Sequence, residues 1–285
     1  MKVAYLGPEG TFSEEAAIQY FNEDEVEYFM YDTIPDVIEA VGEYRVDKAI
    51  VPLENTIEGT INMTIDSLIS FDKLLIEGEY TLPVSLHLLA NKDTYLSEIK
   101  EVWSISPILT QCRKYIKKRS VKSLQYDSSA SAATTLKNSE RTDVAAIGSR
   151  SLANILSLNI IDWNIQDNLD NETRFIIISN NIITEIDSMK TMFVITPGKD
   201  QSGVLSSILN VFTALAINLS WIESRPTARK LGVYRFFLEA NSNCSTMTIE
   251  RAVTILEILE TLGHEVRIIG RYNAFESKSM KSHDI

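Results

Sequence analysis

Ala49-Ile50-Val51-Pro52-Leu53 is an apolar run of strand length; the polar turn Glu54-Asn55-Thr56-Ile57-Glu58-Gly59-Thr60 follows it and leads into a helix reaching about Ser70. Strand, polar turn and helix in that order make half of a crossover unit, and the order recurs four more times. Val3-Ala4-Tyr5-Leu6 leads through Gly7-Pro8-Glu9-Gly10 to a helix ending near Phe21, with Thr11 and Glu14 at capping-box spacing. Val102-Trp103-Ser104-Ile105 leads through Ser106-Pro107, read as an N-cap and an N1 proline, to a helix through Tyr115. Ser123-Leu124-Gln125-Tyr126 leads through Asp127-Ser128-Ser129 to an alanine-rich helix from Ala130, and Val144-Ala145-Ala146-Ile147 leads through Gly148-Ser149 to a helix ending near Leu156. Five such units predict α/β layering around a largely parallel sheet, because parallel neighbours need a crossover. Ligands of such sheets lie outside the carboxyl ends of strands, where helix N-termini present free N–H groups. All five junctions are polar, hydroxyl-rich or Gly-rich there, although each such residue can equally be a helix cap.

A sixth segment reverses the order. In Asp170-Asn171-Glu172-Thr173-Arg174-Phe175 the polar cluster precedes its strand, Ile176-Ile177-Ile178. An arginine there serves either an internal salt bridge or a carboxylate ligand, and the residues alone leave both open. The polar, irregular stretch beginning near Ser179 is expected to hold a linker over 181–190. Beyond it the chain reads as strand (Met192 to Thr196), loop, helix (Val204 to Ala216), strand (Asn218 to Ser224), strand (Val233 to Ala240), helix (Thr248 to Leu262) and strand (Glu265 to Gly270). That order, βαββαβ over 191–275, is the ferredoxin-like split unit. Residues 276–285 form a polar tail.

Composition bounds the function. At 285 residues, 45% of them hydrophobic, the chain has the length of two domains and the apolar content of real cores. A net charge of −12 leaves little to neutralise phosphates, so nucleic acid is excluded as a partner. Residues 1–100 carry 20 acids against 6 bases, and of Arg113, Lys114, Lys117, Lys118, Arg119 and Lys122 most fit a solvated helix face, 113/117 and 114/118 being i,i+4 pairs. Cys112 and Cys244 are expected as buried thiols. His87, in an apolar run, reads as a satisfied strand histidine, with His264 by a turn and His283 in the tail. There is no metal-ligand spacing and no P-loop, GxGxxG, GxSxG or HExxH, so neither metal nor cofactor is expected. With no secretory h-region and no spanning apolar run, a membrane association is not expected, and the expected location is the cytoplasm.

Six segments carry a resemblance. Gly7-Pro8-Glu9-Gly10-Thr11-Phe12-Ser13, Val51-Pro52-Leu53-Glu54-Asn55-Thr56-Ile57-Glu58-Gly59, Ala145-Ala146-Ile147-Gly148-Ser149 and Asn171-Glu172-Thr173-Arg174-Phe175, in that order, resemble monofunctional prephenate dehydratases. Gly203-Val204-Leu205 and Glu223-Ser224-Arg225-Pro226 resemble the effector motifs of their C-terminal ACT regulatory domain. The resemblance implies a two-lobed catalytic domain over 1–180 of the type II periplasmic-binding-protein kind, with lobes 1–80 plus 160–180 and 81–159, ahead of the ACT domain. It implies decarboxylative dehydration of prephenate to phenylpyruvate in phenylalanine biosynthesis, without a cofactor and with feedback control by L-phenylalanine.

The resemblance also implies roles. Thr173 is assigned to the departing hydroxyl, Arg174 to the site or to an ion pair supporting it, and Phe175 to a ring wall; Glu54, Asn55 and Thr56 line the cleft. Asn62, Asn171, Thr11, Ser13, Ser128 and Ser129 are implied as substrate contacts, the first helix N-terminus facing a carboxylate. Gly203, Val204, Leu205, Asn218, Leu219, Glu223, Ser224, Arg225 and Pro226 are implied as phenylalanine contacts in a homodimer or homotetramer joined through ACT domains. Where the family has Ser-His-Pro-Gln, this chain has Ser104-Ile105-Ser106-Pro107 ahead of Gln111-Cys112, so no histidine base is available there. No mutase-like helical extension precedes Met1, which implies that a separate protein supplies that step. Two other readings stay open at this level: dehydration of arogenate, and a sensor of aromatic metabolites without turnover.

Overall fold

Two sheets organise the chain in the computed structural model, which describes residues 1–22, 25–180, 189–199, 201–227, 232–241 and 248–276. The N-terminal part runs β1 (Lys2–Leu6), α1 (Phe12–Tyr20), β2 (Glu27–Tyr31), α2 (Ile34–Gly42), β3 (Lys48–Asn55), β4 (Gly59–Thr60), α3 (Asn62–Leu68) and β5 (Leu75–Pro83). A second sheet follows in β6 (His87–Ala90), β7 (Glu101–Ser104), α4 (Ser106–Gln111), α5 (Arg113–Arg119), β8 (Lys122–Gln125), α6 (Ser129–Ser139), β9 (Val144–Gly148), α7 (Arg150–Leu156) and β10 (Asn159–Asp162). Strand β11 (Glu172–Ser179) then returns to the first sheet. The C-terminal unit is β12 (Lys190–Thr196), α8 (Val204–Ala214), β13 (Asn218–Pro226), β14 (Tyr234–Asn241), α9 (Ile249–Thr261) and β15 (Glu265–Glu276).

The α/β expectation holds, with three corrections. First, the sheets are mixed. β1 lies parallel to β2 and β3, and β7 parallel to β8 and β9, but β11 runs antiparallel to both β3 and β5. The chain leaves the first sheet on β5 and comes back on β11, so the strand that re-enters opposes the strand it left beside. Second, β10 pairs with β6, which puts residues 160–162 in the second sheet, while β5 carries the first sheet through Pro83. Third, Ser106 is not a cap: Ile105 holds that position, and Cys112 interrupts the helix between α4 and α5. The unit β2–α2 also belongs to the first sheet, although no turn motif marks it in the sequence.

The C-terminal unit has the antiparallel order β13-β14-β12-β15 expected of βαββαβ, and α8 and α9 close its own apolar cluster around Phe193, Phe212 and Leu238. Its other face joins the first sheet's core, where Met192, Trp221, Phe237 and Tyr272 share a cluster with Val37, Val51 and Ile176. β15 runs on past Gly270 and pairs in parallel with β5, making one ten-stranded sheet. Gly270 permits that approach, since a Cβ there would lie 2.6 Å from both Ile76 Cβ and Ile76 O. The expected linker falls mostly on residues 181–188, the tail on 277–285, and Cys244 on 242–247, all outside the described residues.

Candidate active site

Pro52 sits inside β3 and has no N–H to give to the ladder. Beside it the register slips: Phe175 faces Pro52, Arg174 faces Glu54 and Thr173 faces Asn55, so Leu53 is the extra residue of a bulge. Because β11 is antiparallel to β3, the polar cluster that precedes β11 in sequence arrives at the carboxyl end of β3. This is where an α/β sheet places its ligand.

Thr173 and Asn55 are each 9% exposed and Asn171 1% exposed at this point. Asn55 Nδ2 lies 3.0 Å from Thr173 Oγ1, Asn171 Oδ1 and the carbonyl of Glu172. Its Oδ1 accepts the backbone N–H groups of Ile57 at 2.9 Å and Glu58 at 3.2 Å, which fixes the amide orientation. The other end of the network is fixed by charge. Glu58 accepts from Gln111 Nε2 at 3.1 Å, so Gln111 Oε1 faces Asn171 Nδ2 at 3.0 Å, and Asn171 Oδ1 is left toward Asn55 and Thr56. Thr56 also accepts the N–H of Glu172 at 3.0 Å.

Thr173 Oγ1 is therefore an acceptor within this network, and among the described residues its hydrogen has no acceptor. That is the state of a hydroxyl ready to donate to a ligand oxygen. Gln111, from α4 of the second sheet, was not among the residues singled out. Its signal in the sequence is only its place in the Gln111-Cys112 pair, at the end of the short helix that contains Ser106-Pro107.

The sequence-derived residues separate into those that join this cluster and those that do not. Glu54 flanks it, half-buried, 3.7 Å from Arg174 Nη1. Arg174 itself turns to the opposite face of β11 and binds Glu79 at 2.5 Å and Glu239. The ion-pair role is the one the geometry fills. Phe175 is 1% exposed in the core under α1, with Tyr5, Ala17, Ile50 and Tyr80, so it is no wall of an open cleft. Asn62 is exposed at the start of α3.

Thr11 caps α1 by accepting from the Glu14 N–H at 3.4 Å and donates to Leu6 O at 3.2 Å, so both its bonds are local. The capping box is shifted by one residue, because Glu14 accepts from the N–H of Gly10 at 2.6 Å instead of that of Thr11. Ser13 is buried in the first turn of α1. Ser128 forms a reciprocal capping box with Ser131, with Ser129 as the first helical residue, which is the capping alternative. Ser104 is spent on Ile147 O at 2.8 Å.

The two sheets meet beside this site. Ser149 Oγ donates to Gly10 O at 3.0 Å, and Phe12 packs on the clusters of both lobes. A hollow of about 420 Å³ lined by Thr110, Arg113, Lys114, Lys117 and Asp167 opens next to Gln111 and does not include Thr173. Burial pushes the Cys112 thiol up to about 12, so it is inert. Burial, with Arg150 nearby, lowers His87 to about 4, and its Nδ1 accepts from the Asn164 N–H at 3.1 Å. It is the satisfied neutral histidine expected. Among the described residues no group of three or more His, Cys, Asp or Glu could hold a metal ion, and no helix is long and apolar enough to cross a membrane.

The comparisons with known proteins bear on this site directly. The family model of prephenate dehydratase matches residues 3–182, which include every residue of the Thr173 network. The chain belongs to the prephenate dehydratase family. Its activity is the lyase reaction of that family. The prephenate dehydratase of Bacillus subtilis strain 168 is 37% identical, covering 97% of this chain and 100% of that protein. That of Lactococcus lactis subsp. lactis strain IL1403 is 35% identical, covering 96% and 98%. Two solved prephenate dehydratases also match: that of Staphylococcus aureus subsp. aureus Mu50 with a TM-score of 0.86, 38% identity and coverage of 96% and 100%, and that of Arthrobacter aurescens, in complex with L-Phe, with a TM-score of 0.84, 29% identity and coverage of 96% and 90%.

Proposed function

We propose that the Thr173 hydroxyl donates a hydrogen bond to the hydroxyl leaving prephenate, within a site oriented by Asn55, Asn171 and Gln111. Loss of carbon dioxide leaves its bonding electron pair in the ring and hydroxide departs from the opposite carbon, so the ring becomes aromatic; the products are phenylpyruvate, carbon dioxide and hydroxide, which becomes water by taking a proton from solvent. Aromatisation supplies much of the driving force, and the enzyme's work is to hold the dianion and stabilise the departing oxygen. A threonine is too weak an acid to be a free-standing proton source, so it acts by hydrogen bonding. The observation that carries this reading is the Asn55 amide donating to Thr173 Oγ1, which leaves the threonine hydrogen for the substrate. The test is to mix purified protein with prephenate and follow phenylpyruvate; no turnover with prephenate still bound would sink the reading.

We propose further that the C-terminal unit is an ACT-type domain through which L-phenylalanine restrains the enzyme, as the L-Phe complex of the Arthrobacter relative suggests. Gly203, in the left-handed region at φ 83, is the N-cap of α8, with Val204 and Leu205 in its first turn; Asn218, Leu219 and Glu223 to Pro226 lie on β13. Arg225 reaches Asp66 on α3, with Nε at 2.9 Å and Nη2 at 2.5 Å, so it ties this motif to the catalytic lobe. β13 is the outermost strand of its sheet, an edge suited to pairing with a second copy in a dimer or tetramer. The two-lobed catalytic part would open and close in the manner of type II periplasmic binding proteins, in the cytoplasm. Adding phenylalanine to the turnover assay tests the regulation, and gel filtration showing a monomer at every concentration would exclude the assembly.

A further inference from the structure

We propose that Glu239, on β14 of the C-terminal unit, is a positioning residue of the dehydratase site, acting on strand β11 through Arg174. Glu239 is fully buried, and its carboxylate meets Arg174 Nη2, Tyr272 Oη at 2.6 Å, Ser220 Oγ and Lys190 Nζ at 3.3 Å. Glu79 on β5, also buried, meets Arg174 at 2.5 Å and Lys190 at 2.8 Å. Arg174 and Lys190 thus face two buried carboxylates in a largely buried space between the catalytic sheet and the C-terminal unit, with the half-buried Glu54 3.7 Å from Arg174 at its edge. Such a set tolerates the cost of burial only when its geometry and its partners are complete.

Arg174 is next in the chain to Thr173, and their partners across the ladder, Glu54 and Asn55, are neighbours too. The guanidinium turns away from the amide network and makes no bond to it, so its influence on Thr173 passes through the backbone of β11. Glu79 shares a sheet with β11 and pairs alongside it. Glu239, Lys190 and Tyr272 belong to the C-terminal strands β14, β12 and β15. The start of β11 is therefore anchored to a carboxylate from another folding unit, 65 residues along the chain. A displacement of β14 pulls on the residue adjoining the catalytic hydroxyl, where misplacement by an ångström costs about a hundredfold in rate. Ser220, which donates to Glu239, lies on β13 between Leu219 and Trp221, within the strand proposed for the effector.

The inference rests on the Thr173 reading, and the test separates the two. In the full-length chain, Glu239→Gln keeps the side-chain volume and one carbonyl acceptor, for either Tyr272 or Ser220, but removes the charge that holds Arg174. Its kcat on prephenate is expected to fall about tenfold to a hundredfold with KM within about twofold of wild type. The double variant Glu239→Gln/Lys190→Met restores the charge balance without restoring the anchor, and also supplies a folded species should the single variant fold poorly. A positioning role leaves kcat low in the double variant while its unfolding temperature recovers. Wild-type kcat in Glu239→Gln, a change in KM alone, or recovery of kcat together with unfolding temperature in the double variant would overturn the proposal. Thr173→Ala is run beside them: if it retains turnover, the Thr173 reading fails, whatever Glu239 shows.

Discussion

Thr173 and Arg174 are consecutive, yet the two sides of β11 they occupy are built from different chemistry. On the Thr173 side the partners are amides and hydroxyls, Asn55, Asn171, Gln111 and Thr56, with one exposed carboxylate, Glu58, at the far end. On the Arg174 side they are full charges, Glu79, Glu239 and Lys190, with the Tyr272 hydroxyl. Neutral amides have fixed donor and acceptor ends, so they can dictate which way a hydroxyl hydrogen points without competing for a dianionic substrate. Buried charges do the opposite. They bind without regard to hydrogen direction but demand complete partners, which suits them to lock two folding units together.

The sharpest way to break this division is on the neutral side. Thr173→Ala is expected to lower kcat by about a hundredfold or more with little change in KM, since it removes the bond proposed to the departing oxygen. Asn55→Asp is subtler: it keeps the acceptor for the Ile57 and Glu58 N–H groups but replaces the donor facing Thr173 with a second acceptor. The threonine hydrogen then turns toward the aspartate, and turnover is expected to drop by about tenfold or more; wild-type rates in this variant would refute the hydrogen-bond direction argued here.

The charged side is read better by stability. Burial raises the Glu239 carboxyl, but Arg174 and Lys190, with hydrogen bonds from Ser220 and Tyr272, outweigh it and hold it below the ordinary 4.5. A carboxyl depressed in the folded state contributes stability above its ordinary value, and that contribution disappears as pH falls through the depressed one. Denaturant titrations of wild type and Glu239→Gln are thus expected to differ most near neutrality and to converge below about pH 4.5; parallel curves throughout would deny the charge its part. The smallest effect is expected at the rim. Arg267 pairs at 2.7 Å with Asp72, whose side chain is 90% exposed, so Arg267→Met should move the unfolding midpoint by no more than a degree or two.

Much of this architecture is legible in the chain because it is local. Thr11, Ser128 and Ser149 cap the helices their positions announce, and the βαββαβ order of the last hundred residues can be read from period alone. The Asn-x-Thr-Arg-Phe segment stands out for the same reason, since a polar cluster ahead of a buried strand has few structural uses. Phe175 reads as a cleft wall but lies in the core, because an aromatic beside a polar motif suits either place and only packing under α1 decides. Gln111 gets no role from the sequence, where it is only half of the Gln111-Cys112 pair, because a lone glutamine at a helix end has no periodicity or spacing to mark it; its meaning comes from Asn171, sixty residues away.

The sequence by itself determined most of the helices, the caps at Thr11, Ser128 and Ser149, and the alternation of strands and helices along the chain, all matters of neighbours within a few positions. Tertiary structure alone decided that β11 runs backward along β3, so that Thr173 meets Asn55, and that β15 extends to pair with β5. It also decided that Arg174 belongs to the junction between units and not to the substrate side. These outcomes depend on register across distant strands and on where charges find partners once water is excluded, and neither is encoded in the spacing of residues along one segment.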